Sequence, residues 1–209
     1  PIPASVYYDP ARFELERKAV FMRTWLVIGH ICELPKPGDF IVREVELARA
    51  SILITHGKDG SVRAFHNVCT HRGTQLVSAE SGRASTFTCP YHAWTFGQDG
   101  QLRSAPDFER FYVAKQDCGL NEVRVETCGG LIFINFDKTS KQSLKAFLGE
   151  AAGNLAPLEK ATRYSEFVYE IDANWNAVID TFQENYQQRF IHKTAPTADI
   201  RTTSDSRSC

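Results

Sequence analysis

Two short segments hold the side chains best suited to chemistry, Cys69-Thr-His71-Arg-Gly73 and Cys89-Pro-Tyr-His92. Each offers one thiolate and one imidazole within a tight loop, and each follows a run predicted to be a strand. Soft thiolates and neutral imidazoles suit iron and zinc alike. Two Cys and two His can close a tetrahedral structural zinc, where metal binding supplies folding energy. Zinc fingers, however, usually pair Cys with Cys and His with His along the chain. The order here is Cys-His, Cys-His, which lets both sulfurs converge on one iron and both imidazoles on another. A [2Fe–2S] cluster is the expected occupant. Neutral imidazoles on one iron reduce the negative charge and raise the potential, to about −150 to +300 mV against roughly −400 mV for plant-type ferredoxins. The mixed donor set points to electron transfer.

The loops need a β framework, and the surrounding sequence supplies one. Phe40-Ile-Val-Arg-Glu-Val45, Ser51–Thr55 and Ser61–Phe65 are short β-branched or aromatic runs, and Gly57-Lys-Asp-Gly60 predicts a hairpin turn between the last two. Ala84–Thr88, Gln101–Ser104, Glu122–Thr127 and Leu131–Phe136 continue the pattern, so residues 26–137 read as one mostly antiparallel β domain. Before it, Asp9-Pro10 predicts an N-cap and first helical residue for an amphipathic helix over 11–25. After it, Leu144, Phe147, Leu148 and Leu155 stand at helical spacing, and Pro157 is expected to close the segment. A strand over Tyr164–Ala173 and a helix over about 175–188 are predicted next. No internal repeat is evident, and Lys138-Thr-Ser-Lys-Gln142 is the expected domain boundary.

Composition narrows the function classes. In 209 residues, 24 Lys+Arg nearly balance 25 Asp+Glu without a block of one sign, so neither a nucleic-acid nor a membrane partner is expected. No run approaches the roughly 20 apolar residues of a membrane span, and the start lacks a secretory pattern. A soluble, cytoplasmic protein is the expectation. Six cysteines, at 32, 69, 89, 118, 128 and 209, are too few and too irregular for a secreted disulfide scaffold.

With their surroundings, the two loops resemble the Rieske domain of the ring-hydroxylating (Rieske non-haem iron) oxygenases, in their large α subunit. Cys69-Thr-His71-Arg-Gly73 and Cys89-Pro-Tyr-His92-Ala-Trp94 carry the resemblance. It extends upstream to Phe65-His-Asn-Val68 and downstream to Trp94-Thr-Phe96 and Asp99-Gly100. It implies an α+β chain with a helical and connecting segment at 1–37, a Rieske domain of antiparallel β sheet at 38–137, and the start of a helix-and-sheet catalytic domain at 138–209. Arg72, Gly73, Pro90, Tyr91 and Trp94 become candidates for shielding the cluster or bonding its sulfurs.

The family also carries, on a helix after the Rieske domain, Glu or Asp, two residues, His, four residues, His, which provides two ligands to a mononuclear Fe(II). A carboxylate far downstream completes that set. The ungapped match, within a helix expected at about 175–192, puts Glu184 on the acidic position, Gln187 on the first histidine and His192 on the second. A carboxamide is a poorer partner for iron than imidazole, so this site is incomplete as written. By the resemblance, Glu184 would bridge a cluster histidine, His71 or His92, of a neighbouring subunit to the mononuclear site.

The implied activity is that of a Rieske-type mono- or dioxygenase acting with O2 on a small, aromatic substrate. Electrons would come from a separate reductase or ferredoxin, since the chain has no Gly-rich dinucleotide motif. A homotrimer or an α/β hetero-oligomer is expected, because a head-to-tail contact must close into a ring. Two rival readings remain open at this point, a non-catalytic Rieske ferredoxin-like carrier and a zinc-stabilised structural module.

Overall fold

A computed structural model describes residues 2–183. Its chain divides into two compact units. One is Phe13–Val168; in the other, residues 2–12 come together with the described residues from Tyr169 onward.

Helix α1 spans Pro10–Glu16 and opens as its sequence predicts, with the Asp9 carboxylate accepting the Ala11 N–H at 2.9 Å and Pro10 first in the helix. It is shorter than expected. A π-helical turn, Arg17–Phe21, ends it, and Trp25 lies beyond it on the way into the sheet.

Among the described residues ten strands follow: β1 Leu26–His30, β2 Asp39–Val45, β3 Ala50–His56, β4 Val62–His66, β5 Ser81–Arg83, β6 Thr86–Thr88, β7 Thr95–Gly97, β8 Leu102–Ser104, β9 Glu122–Cys128 and β10 Leu131–Asn135. They form a seven-stranded sheet in the order β1-β10-β9-β4-β3-β2-β5 and a three-stranded sheet β6-β7-β8, with antiparallel pairing throughout. The α+β class expected from sequence is the class found. Strands β1, β5 and β7 had no separate sequence signal, whereas the other seven lie on predicted runs.

Alternation along the central strands sends side chains to opposite faces. Phe40, Val42, Leu53 and Phe65 join one buried cluster, while Ile41, Ile52, Ile54 and Ala64 join another with Val123, Ile132 and Ile134. Both faces of the large sheet are therefore covered.

The first cluster fills the space between the two sheets. It also contains Phe87, Trp94, Phe96, Leu102 and both candidate ligand cysteines, Cys69 and Cys89. Gly100 fixes how closely the small sheet approaches. Its φ of +76° favours glycine, and a Cβ there would collide with the buried ring of Phe65. Nearby, Thr55 Oγ1 donates to the Gln98 carbonyl at 2.9 Å and the Leu120 N–H donates to Gly100 O at 2.8 Å.

The turns joining β3 to β4 and β7 to β8 repeat one local design. Gly57-Lys-Asp59-Gly60 and Gly97-Gln-Asp99-Gly100 each place an aspartate against an arginine four residues on, Arg63 and Arg103. A seven-residue pattern is too short to stand out from composition.

Beyond the sheet, α2 spans Leu144–Leu148, capped by Ser143 Oγ on the Ala146 N–H and by Glu126 on the Leu144 N–H. Helix α3, Ala151–Leu155, runs into a 3-10 turn at Ala156–Lys160, so Pro157 sits inside that turn and does not end the segment. The strand predicted at Tyr164–Ala173 is absent: those residues pair with no strand among the described residues. Alternating β-prone side chains mark only the capacity to pair, and a strand exists where a neighbour accepts its hydrogen bonds. Helix α4 is described over Trp175–Gln183.

Candidate metal centre

The two ligand loops have one backbone design. In the first, the Cys69 N–H donates to Thr74 O at 2.8 Å and the Gly73 N–H donates to Cys69 O at 3.0 Å. In the second, the Cys89 N–H donates to Trp94 O at 2.8 Å and the Ala93 N–H to Cys89 O at 3.0 Å. The residue four places after each cysteine takes the left-handed conformation, with φ +72° at Gly73 and +58° at Ala93. Glycine makes this easy in the first loop, while alanine adopts it against its Cβ preference in the second.

The loops come from different sheets. The first leaves β4, and the second joins β6 to β7. Asn67, fully buried, holds the first: its Nδ2 donates to Val77 O at 2.7 Å, and its Oδ1 accepts the Val77 N–H at 2.9 Å. Thr70 Oγ1 adds a bond to Cys118 O at 2.9 Å.

The four predicted donors come as two pairs. Cys69 and Cys89 are buried side by side, close enough for one sulfur to hydrogen-bond the other, and the N–H groups of His71 and Arg72 also point at the Cys69 sulfur. Burial pushes the Cys69 thiol above its ordinary pKa; the His71 amide opposes that and the Cys89 sulfur adds to it. The His71 and His92 rings lie 4.7 Å apart at 71°. Because His71 is two residues after its cysteine and His92 three after its own, equivalent loops deliver their imidazoles from different directions. Burial, followed by the neighbouring His92 and Arg72, lowers the His71 pKa and favours the neutral ring that a metal needs.

The Nδ1 atoms of His71 and His92 are buried without a hydrogen-bond partner. Buried polar atoms are nearly always paired, so two orphaned nitrogens on loops that also carry two buried sulfurs have the donor chemistry of a mixed-ligand [2Fe–2S] cluster. Among the described residues, no three His, Cys, Asp or Glu side chains gather to hold a single ion. The donors instead come as a sulfur pair and an imidazole pair, which does not favour the zinc module.

Aromatic side chains wall the imidazoles. Trp94, 4% exposed, stacks on His71 with centroids 4.7 Å apart and planes 6° apart. Phe111 meets His71 edge-on at 5.7 Å, and Phe108 stacks on Phe111 at 5.6 Å. Tyr91 lies over His92 with centroids 3.8 Å apart, yet is 59% exposed. Arg72 and Pro90 are exposed, and Gly73 has the turn role described above. Sequence reasoning found Tyr91 and Trp94 but missed Phe108 and Phe111. Two aromatics three residues apart in a stretch without strand pattern were the available signal.

Glu184, Gln187 and His192 lie outside the described residues. No helix among the described residues is long and apolar enough to cross a membrane.

Residues 24–126 match the Rieske [2Fe–2S] domain family. The oxygenase subunit of carnitine monooxygenase from Acinetobacter baumannii is 37% identical over 193 residues, covering 88% of this chain and 50% of that protein. The large oxygenase component of the naphthalene 1,2-dioxygenase system from Ralstonia sp. is 38% identical over 186 residues, covering 85% of this chain and 41% of that protein. Among solved structures, the quaternary ammonium Rieske monooxygenase CntA with an inhibitor superposes with a TM-score of 0.85 at 34% identity, over 92% of this chain and 54% of that one. Naphthalene 1,2-dioxygenase with indole in its active site gives 0.64 at 40% identity, over 72% and 34%. The chain thus spans about half the length of the curated relatives it matches.

Proposed function

We propose, for a chain that belongs to the Rieske [2Fe–2S] family and is homologous to the large subunits of Rieske oxygenases, that it is the electron-accepting part of a terminal oxygenase. Cys69, His71, Cys89 and His92 would hold the cluster, which when bound takes up and releases one electron. The observation that carries this reading is the pair of orphaned imidazole nitrogens on the same two loops as the pair of buried sulfurs. The protein's own contribution is positioning and shielding. Matched loops on two sheets hold the donors, the His71 and Arg72 amides stabilise sulfur charge, and Trp94, Phe108 and Phe111 keep water from His71. Tyr91 and His92 present the exposed side to a reductase or ferredoxin donor.

The further assignment is O2-dependent hydroxylation of a small substrate at a mononuclear iron in a catalytic domain beginning near residue 138. The legible donors do not complete that iron site, because Gln187 stands where the family has histidine. No catalytic step is therefore derived through it. For substrate class, the relatives offer both a quaternary ammonium compound and a bicyclic aromatic. A turnover panel should carry both. A cyclic trimer, with Glu184 facing a neighbour's His71 or His92, accompanies the reading.

Metal content tests it. About two irons per chain with matching acid-labile sulfide indicate the cluster alone, and about three indicate an occupied second site. A colourless, sulfide-free protein containing zinc would overturn the assignment. Replacing Gln187 by His should raise bound iron towards the higher figure, and no gain would count against an interrupted oxygenase site.

A further inference from the structure

The two Gly-X-Asp-Gly turns line one cleft of about 410 Å³, together with the start of β6. In each turn the aspartate grips the arginine four residues on. Asp59 accepts from both Nη1 and Nη2 of Arg63, at 3.1 and 2.6 Å, and Asp99 accepts from Nη2 of Arg103. The first glycine of each turn makes room: a Cβ on Gly57 would collide with Nη1 of Arg63, and one on Gly97 with Nε of Arg103. Both guanidiniums are thus fixed before any ligand arrives. Each has five N–H groups, of which the aspartates take only a minority, leaving the larger share for other acceptors. Lys58 is exposed and in no ion pair among the described residues, and Ser85 and Thr86 bring exposed hydroxyls. Lys58, Arg63 and Arg103 outnumber Asp59 and Asp99 among the lining charges. Asp59 above all raises the Arg63 pKa, and Asp99 of the other turn adds to it, as does Glu122, so the two turns share one electrostatic field.

We propose that this cleft binds a phosphate group, free or as a monoester, with Arg63 and Arg103 as paired clamps and Lys58 as the third cation. A tetrahedral phosphate accepts hydrogen bonds from several directions, and donors here come from two turns and a strand end, whereas one guanidinium edge satisfies a planar carboxylate. The volume falls within the roughly 300–1,000 Å³ of small-molecule pockets, which admits an esterified group as well. The cleft lies at the other end of the β6–β7 pair from the Cys89 loop: Thr86 and Gly97 pair at the cleft, and Thr88 and Thr95 pair at the loop. A phosphate held there spans the large sheet and the small one, and favours their docked state by mass action. This assignment does not depend on what the Cys-His loops hold.

Titration of the full chain with inorganic phosphate and with glycerol 3-phosphate, at constant ionic strength, tests it through amide NMR shifts. Saturable shifts should appear in both turns, 57–60 and 97–100, and chloride should not reproduce them. Lys58→Gln removes no ion pair among the described residues and should weaken binding at least about threefold, the loss of one solvent-screened, charge-assisted hydrogen bond. Arg103→Gln combined with Asp99→Asn keeps the net charge and an oxygen for the Gln101 N–H, and should weaken binding at least about tenfold. Tighter binding of the ester identifies a phosphomonoester as the ligand, and equal binding identifies free phosphate; both uphold the site. Shifts that follow ionic strength alone, that stay within one turn, or that persist with unchanged affinity in both variants overturn the proposal. Succinate binding as tightly as phosphate overturns it too.

Discussion

Replacing Gly73 by Ala and Ala93 by Gly should shift stability in opposite directions. The two positions are equivalent, each closing its loop with the same 3.0 Å bond back to the cysteine carbonyl and each at positive φ. A left-handed conformation costs a residue with a Cβ roughly 1–2 kcal/mol. A Gly-to-Ala change recovers about 0.4–1 kcal/mol by restricting the unfolded chain. A Cβ on Gly73 would meet nothing within 4 Å, and Ala93 is exposed, so no packing difference enters. The net effect is about 0.5–1 kcal/mol, destabilising for Gly73→Ala and stabilising for Ala93→Gly. Since 1.4 kcal/mol is a factor of ten, cluster loss at a fixed temperature should be about threefold faster in the first variant and threefold slower in the second. Bleaching of visible absorbance during mild heating measures this, and it suits a cofactor protein whose unfolding is not two-state. Effects of the same sign, or a faster loss from Ala93→Gly, would refute the equivalence of the loops.

Three further outcomes are expected. His92→Cys moves the cluster towards all-thiolate ligation and should lower its reduction potential; an unchanged potential in a protein that keeps its cluster would remove His92 from the ligand set. Gly100→Ala combines a left-handed Cβ with a clash against Phe65 and should cost about 2–5 kcal/mol, part of which Phe65→Leu should recover in a thermal melt of the double variant. Asp39 bonds Arg83 at 2.8 Å and the Lys36 N–H at 2.7 Å, and chiefly the arginine bond holds its carboxyl below the usual range. A depressed folded-state pKa contributes stability above the unfolded value, near pH 4, and loses it as pH falls through the folded one. The Tm deficit of Asp39→Asn should accordingly be largest near neutrality and close in more acid solution.

The candidate donors stand out in the sequence because their identity is the chemistry: a Cys-His order repeated in two loops suggests a ligand set whatever surrounds it. Predicted strands such as Ser51–Thr55 and Leu131–Phe136 were legible because β-branched runs between turn residues are a local signal. Ser81–Arg83 was not, since a three-residue strand of exposed side chains has no periodicity to read. Tyr164–Ala173 failed in the opposite way. Its Phe167, Tyr169 and Ile171 alternate correctly but stand exposed, and alternation does not specify a partner. The aromatic wall was half legible, because Trp94 adjoins the ligand motif while Phe108 and Phe111 arrive from a separate segment.

Drawing the proposed ligands from two sheets would tie the cofactor to the fold. Neither sheet alone offers more than one sulfur and one imidazole, so the site exists only while the hairpin β6–β7 stays docked on the large sheet. That docking depends on contacts remote from the metal: Gly100 against Phe65, Thr55 on Gln98, and the buried side chains that Cys69 and Cys89 share with Phe87 and Phe96. Because a cluster bridging both sheets binds the docked state in preference to the separated one, it must stabilise that interface by mass action. Gly100→Ala should therefore be far more damaging to a protein assembled without iron and sulfide than to one that already holds them. Equal damage in both states would mean that the sheets dock independently of the metal, and that the cluster fills a site already made.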